Sequence, residues 1–189
     1  MLNIYCFHGC GQTPNLFKSL LKSLEKNNKQ HNWVYLKGFY PKDEGGWGWY
    51  KYKDTNLRKC DEKMEIDNSD HDYYSNMESI EKIIKYPQDT VLIGFSEGGQ
   101  FALDLSQRFT NIRGVVAISP SYAIGIPKYV ITFPVVLITS INDDRVMKKY
   151  LDKWKKHMKD NVTEINHFKG HKLYVPLETR NIIKDKMKL

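Results

Sequence analysis

Three runs limit what this chain can fold into more than any other feature: TVLIG (90–94), GVVAIS (114–119) and VVLIT (135–139) are apolar at nearly every position. A strand with one face in water alternates apolar and polar residues. A run that is apolar at both parities therefore belongs to a strand covered on both faces. Segments with helical spacing lie between these runs. Tyr73 to Lys85 places Met77, Ile80, Ile83 and Ile84 together and is closed by Pro87, while Gly98 to Phe109, Val146 to His157 and Pro176 to Met187 read as further helices. Leu2 to Phe7, Trp33 to Leu36 and Thr163 to Phe168 complete the strands, and Asn15 to Asn27 reads as an amphipathic helix through Leu16, Leu20, Leu21 and Leu24. Strands and helices taking turns in this way give an α/β fold: a mostly parallel central sheet with helices on both faces.

A chain of 189 residues is long enough to bury one sizeable core, and 1–189 reads as a single domain. The pattern lapses only over residues 38–72, too long for an ordinary connection, which marks a functional loop or lid insertion. Mean hydropathy of −0.56 and the lack of any apolar run near ~20 residues argue against an integral membrane segment. MLNIYCF has no basic n-region and reads as a first strand, and three cysteines suit a reducing compartment, so a cytoplasmic location is expected. The net charge of +7 is concentrated in a lysine excess over residues 145–188, opposed by an acid-rich stretch over residues 43–89. No nucleic-acid-binding motif accompanies it. The excess reads as a solvated helix surface, with peripheral contact to an anionic surface as its other use.

The sequence GFSEGG (94–99) stands where TVLIG ends and the next helix begins. In an open α/β sheet, ligands bind beyond the carboxyl ends of the strands. The G-x-S-x-G spacing there forms a nucleophile elbow: small neighbours let the chain reverse sharply, so that the Ser96 hydroxyl projects above the sheet. A serine hydroxyl needs a base to take its proton and a carboxylate to orient that base. Both follow at later strand ends, in SINDDRV (140–146) and KGHKL (169–173). These supply Asp143 and His171. Asp144 adjoins Asp143 and only one of the pair can face His171; Asp143 is assigned the role, with Asp144 as the alternative. His167 falls inside the last strand and reads as a structural imidazole.

FHGCGQT (7–13) follows the first strand, where glycines let a backbone N–H approach a developing oxyanion. The donors are assigned as the backbone N–H groups of Cys10 and Glu97. Cys6, His8 and Cys10 alternate and could share a strand face as metal ligands, but a structural zinc site wants four ligands at closer matching spacings. No metal or organic cofactor is expected.

Taken together, FHGCGQT, GFSEGGQFAL, GVVAISPSY, the DDRV turn and NVTEINHFKGH resemble the carboxylesterase and acyl-protein thioesterase group of α/β-hydrolases over most of the chain outside residues 38–72. Through Gln12 the chain also resembles small serine hydrolases with an HG-x-x-Q turn. It departs from the group in having Glu97 where glutamine is usual, and its short length implies either a missing peripheral strand or a reduced lid. The resemblance implies Ser96 as nucleophile, Asp143 as orienting acid, His171 as base and a small-molecule or acyl-protein ester or thioester as substrate. A catalytically silent binding module and a peptidase-type hydrolase are the other readings. In GGWGWYKYK (45–53), Trp47 and Trp49 are expected to wall the acyl pocket, the alternative being that they plug the core.

Overall fold

In a computed structural model of the chain, residues 1–42, 45–51, 71–121, 130–145 and 148–189 are described. Along the sequence the elements run β1 (Asn3–Phe7), α1 (Pro14–Lys26), β2 (Asn32–Leu36), β3 (Tyr40–Pro41), β4 (Trp47–Gly48), α2 (His71–Ile83), β5 (Thr90–Phe95), α3 (Glu97–Ser106), β6 (Gly114–Ile118), β7 (Val135–Ser140), α4 (Lys148–Met158), β8 (Val162–His167) and α5 (Leu177–Met187). Six strands form one sheet in the order β2-β1-β5-β6-β7-β8, every pairing parallel. The order reverses at β1, which has β2 on one side and β5 on the other. Such a switch point opens a crevice at the carboxyl edge.

The apolar runs bury both parities of the inner strands. Tyr5, Phe7, Leu92, Val115, Ala117, Val135 and Leu137 meet side chains of α2, α3 and α4, such as Met77, Phe101 and Trp154. Ile4, Cys6, Val91, Ile93, Val116, Ile118, Val136 and Ile138 meet Phe17 and Leu21 of α1 and Ile183 and Met187 of α5. No described helix is long and apolar enough to cross a membrane.

Two helix faces differ from the sequence expectation. On α1 the buried stripe is Phe17, Leu21 and Leu24, whereas Leu16 and Leu20 stay 47% and 46% exposed. Phe17 offers the larger apolar surface at the i, i+4, i+7 spacing, so the helix turns that stripe inward. On α2 and the residue just after it the buried set is Tyr73, Met77, Ile80 and Ile84, and Ile83 is exposed for the same reason of spacing. Within the expected irregular segment lies an antiparallel hairpin, with Tyr40 opposite Gly48 and Pro41 opposite Trp47. The rest of that segment, residues 43–44 and 52–70, lies outside the described residues, as does Val146, the expected start of α4.

A buried polar seam joins α3 to the segments over it. The Asp104 carboxylate accepts from Tyr73 Oη at 2.8 Å, Tyr50 Oη at 3.4 Å and Gln100 Nε2 at 3.0 Å. Burial pushes the Asp104 carboxyl up to about 8, and the bonds from Tyr73, Gln100 and Tyr50 only partly offset it. A carboxyl raised on folding makes the native state bind more protons than the unfolded chain between the unfolded value near ~3.9 and the folded one. Its contribution is therefore fully present at acid pH and is lost as pH rises towards the folded value. Asp104→Asn is expected to be less stable than or equal to the native chain at pH 4 and more stable at pH 9, with a relative gain on the order of a few kcal/mol. Denaturant melts of both proteins across that range check the sign.

Candidate active site

The carboxyl edge gathers the site because the strand ends are in register: Gly94 pairs with Phe7 and Ala117, and Ser140 with His167. Ser96 lies between β5 and α3 with φ 52° and ψ −122°, a left-handed backbone that a β-carbon disfavours. It is held there by its N–H donating to Ile118 O at 2.9 Å, and by its carbonyl accepting from Gln100 N–H and Ser121 N–H, both at 3.1 Å. The flanking glycines are steric necessities. A β-carbon at Gly94 would come 2.2 Å from Gly98 O, and one at Gly98 would come 2.3 Å from both Phe7 O and His8 O.

From this turn a hydrogen-bonded line runs across the sheet edge. His171 Nε2 lies 2.8 Å from Ser96 Oγ, and His171 Nδ1 lies 2.9 and 3.0 Å from the two Asp143 oxygens. A carboxylate can only accept, so Nδ1 carries the proton and Nε2 presents its lone pair to the serine hydroxyl. Asp143 is the acid that reaches the imidazole; the adjacent Asp144 is exposed. Burial pushes the Asp143 carboxyl up, but the bonds from His171 and Arg145 N–H, the imidazole's charge and the Ser119 hydroxyl outweigh it and leave the carboxyl below its ordinary value. The loops carrying acid and base are tied together. Gly170 N–H donates to Ser140 Oγ at 2.9 Å and to Asn142 Oδ1 at 3.1 Å, and Asn142 Nδ2 donates to Phe168 O at 3.3 Å. The imidazole also lies against Phe95, ring centroids 5.3 Å apart.

Opposite this line lies the loop after β1. The Gly9 carbonyl accepts from His8 Nδ1 at 2.8 Å and from Gln12 N–H at 3.1 Å. In a planar trans peptide the following N–H points the other way, so anchoring Gly9 O aims Cys10 N–H away from the loop's own bonds. Among the described residues Cys10 N–H makes no backbone bond. Glu97 N–H is a first-turn donor of α3 and has no intrahelical acceptor. His8 Nε2 accepts from Gly38 N–H at 3.1 Å, which fixes the neutral tautomer, and burial holds its pKa down. The sequence marked His8 only as a candidate metal ligand and did not mark Ser140 or Asn142. The His-Gly pair opening the loop was the available signal for the first; nothing local marked the other two.

The remaining expected residues are placed as follows. Trp49 is wholly buried, with Phe7 at 5.2 Å and Phe101 at 4.9 Å between ring centroids, and its Nε1 donates to His8 O at 2.8 Å. That is the core placement. Trp47 is half-buried at the loop after β1, with Lys37 Nζ 4.1 Å above its ring. Both nitrogens of His8 are engaged by backbone groups, Cys6 is buried in the core, and among the described residues no His, Cys, Asp and Glu group is arranged to hold a metal. Cys10 is exposed as a residue, yet its thiol lies by Glu97 and is pushed up to about 12, by desolvation first and then by the Glu97 carboxylate. A protonated thiol is a poor nucleophile. His167 is buried at the end of β8, its Nδ1 accepting from Lys169 N–H at 3.1 Å. Surface hollows of 700 Å³ along the lysine side of α1 and 450 Å³ beside Phe109 and Phe133 are lined by none of Ser96, His171 and Asp143. Those three side chains meet one another at the sheet edge instead.

A parallel six-stranded sheet with a serine at the strand-to-helix turn is the arrangement of the α/β-hydrolase fold. Comparison with known structures agrees. YahD with malic acid aligns over 98% of this chain and 94% of its own at TM-score 0.78 and 15% identity. SOBER1 of Arabidopsis thaliana aligns over 99% and 97% at TM-score 0.75 and 14% identity, and a carboxylesterase from Mesorhizobium loti over 97% and 87% at TM-score 0.73 and 12% identity. At those identities the likeness is one of fold. No curated protein matches the sequence. The model of the serine hydrolase (FSH1) family matches residues 1–184, and the chain belongs to that family.

The burial of Trp49 sets a test of its role. Trp49→Ala is expected to cost ~3–5 kcal/mol of stability, as for a large aromatic removed from a core. The ranking of acyl substrates by chain length is expected to stay as it is. Denaturant melts and a graded ester series read the two effects separately, and a selective loss on long chains with an unchanged melt would return the residue to a pocket wall.

Proposed function

We propose that the chain hydrolyses carboxylic esters or thioesters through an acyl-serine intermediate. The observation that carries this reading is the line from Ser96 Oγ to His171 to Asp143, starting at a serine in a left-handed turn. Ser96 Oγ attacks the acyl carbonyl carbon as His171 Nε2 takes its proton, and Asp143 stabilises the resulting imidazolium. The carbonyl oxygen becomes an oxyanion facing the N–H groups of Cys10 and Glu97. As the tetrahedral intermediate collapses, the bond to the leaving alkoxide or thiolate breaks and His171 returns the proton to it. Water, deprotonated by the same imidazole, repeats the sequence on the acyl-serine and frees the acid. No step calls for a metal or organic cofactor.

His171 must be neutral to accept the proton, while Asp143, held below its ordinary range, stays ionised as the medium becomes acidic. Any limb of the turnover profile that comes from protonation of Asp143 is therefore expected below the ordinary carboxylate range. Ser96→Ala is expected to fold and to lose several orders of magnitude in kcat. Asp143→Asn should lower kcat by ~10³ or more, and Asp144→Asn far less. Steady-state kinetics on a panel of esters and thioesters of graded chain length check both. Retention of a tenth of the native rate by Ser96→Ala, or a larger effect at Asp144 than at Asp143, would overturn the assignment.

A further inference from the structure

We propose that the β3–β4 hairpin is a clasp that sets the oxyanion hole, and that the Glu97 side chain is the positioning residue that anchors it. This inference rests on the oxyanion role assigned above to the N–H groups of Cys10 and Glu97. Those donors belong to different elements: Cys10 lies in the loop after β1, and Glu97 opens α3. A pair of donors works only when both reach the same oxygen, so something has to hold the loop and the helix start at a fixed separation.

The hairpin touches both. At the loop, Gly11 N–H donates to Trp47 O at 3.0 Å and Trp47 N–H donates to Gln12 O at 2.9 Å, so the two residues after Cys10 are both held. The backbones lie so close there that a β-carbon at Gly46 would come 1.9 Å from Gly11 O. At the helix, Glu97 Oε1 accepts from Trp49 N–H at 3.0 Å and from Tyr50 N–H at 2.8 Å. Through their backbone groups, residues 47 to 50 thus make four hydrogen bonds to the two halves of the hole, two to each. The side chain of Glu97 is almost wholly buried, 1% exposed as a residue, so water does not replace these bonds when the acceptor is removed. The anchor requires an acceptor oxygen at the end of a three-carbon side chain. Glutamine supplies one; leucine of similar size does not.

Displacing one donor weakens the bond that matters in the transition state and leaves ground-state binding nearly as it was. Glu97→Leu is expected to lower kcat about 10²-fold, as for a misplacement near 1 Å, with KM changed little. Glu97→Gln is expected to recover at least about tenfold of that loss. Gly46→Ala, which presses on the other end of the clasp, should lower kcat in the same pattern and provides the reading if Glu97→Leu does not fold. Amide hydrogen exchange at Trp49 and Tyr50 follows the clasp without reference to catalysis: fast in Glu97→Leu, slow in the native chain and in Glu97→Gln. Unchanged protection in Glu97→Leu, a loss confined to KM, or a glutamine variant as slow as leucine would overturn the proposal. Lost protection with an unchanged kcat would equally show that the clasp does not set the hole. If the native chain has no Ser96-dependent turnover, the acyl-serine reading fails and the catalytic part of this proposal falls with it. Amide exchange would still show whether the clasp exists.

Discussion

The close approach of the first turn of α3 to the ends of β1 and β5 is the contact on which the rest of the site depends. Gly98 lies within backbone contact of Phe7 and His8, and Gly94 within backbone contact of Gly98, so the chain must reverse between them over a single residue. That residue is Ser96, and its positive φ is the result. A non-glycine residue in this region costs ~1–3 kcal/mol, which persists only where the surroundings over-determine it. Here the three backbone bonds of Ser96 to Ile118, Gln100 and Ser121 do so. The strain fixes the serine hydroxyl at the sheet edge and at the same time presents the N-terminus of α3, with its unpaired donors and positive end of the dipole, to the same space.

Beneath that turn the helix is buried, and the polar side chains it carries inward are answered by named partners. Glu97, Gln100 and Asp104 follow one another at i, i+3 and i+7, a single stripe of α3. Glu97 is met by the backbone of Trp49 and Tyr50, and Asp104 by Gln100 and by the hydroxyls of Tyr73 and Tyr50. Tyr50 therefore bonds at both ends, through its N–H to one carboxyl and through its hydroxyl to the other. A polar seam of this kind in a low-dielectric interior has a definite register, where an apolar seam would tolerate sliding. It ties the hairpin segment and α2 to the helix that begins just after Ser96.

Much of the architecture was legible in the sequence because its signals are local. Among the described residues, every strand of the six-stranded sheet and each of the five α-helices was readable from apolar runs and helical spacing, since burial on two faces leaves runs such as VVLIT no polar parity. The turn at Ser96 was readable because the sterics demand glycine at fixed offsets. What was not legible was long-range. The two-residue strands β3 and β4 carry no period, so the hairpin could not be distinguished from irregular chain. On α1 and α2, spacing left two apolar stripes in competition, and only packing against the sheet decided for Phe17 over Leu16 and for Ile84 over Ile83. Trp49 could have been pocket or core on composition alone; its enclosure by Phe7 and Phe101, far away in sequence, decides for core. The choice between Asp143 and Asp144 turned on a loop whose course is set by Ser140 and Asn142, residues with no motif of their own.

Whether Ser96 is chemically activated by the imidazole beside it is tested most directly by covalent capture. A fluorophosphonate reacts rapidly with a serine whose proton a neighbouring base removes, and slowly with an ordinary hydroxyl. Intact-mass measurement of the native protein at neutral pH is expected to show one phosphonyl group per chain, mapped by peptide digestion to Ser96, with the labelling rate falling steeply when His171 is replaced by alanine. A native protein that takes up no label, or one labelled at another residue while Ser96 stays free, would contradict it.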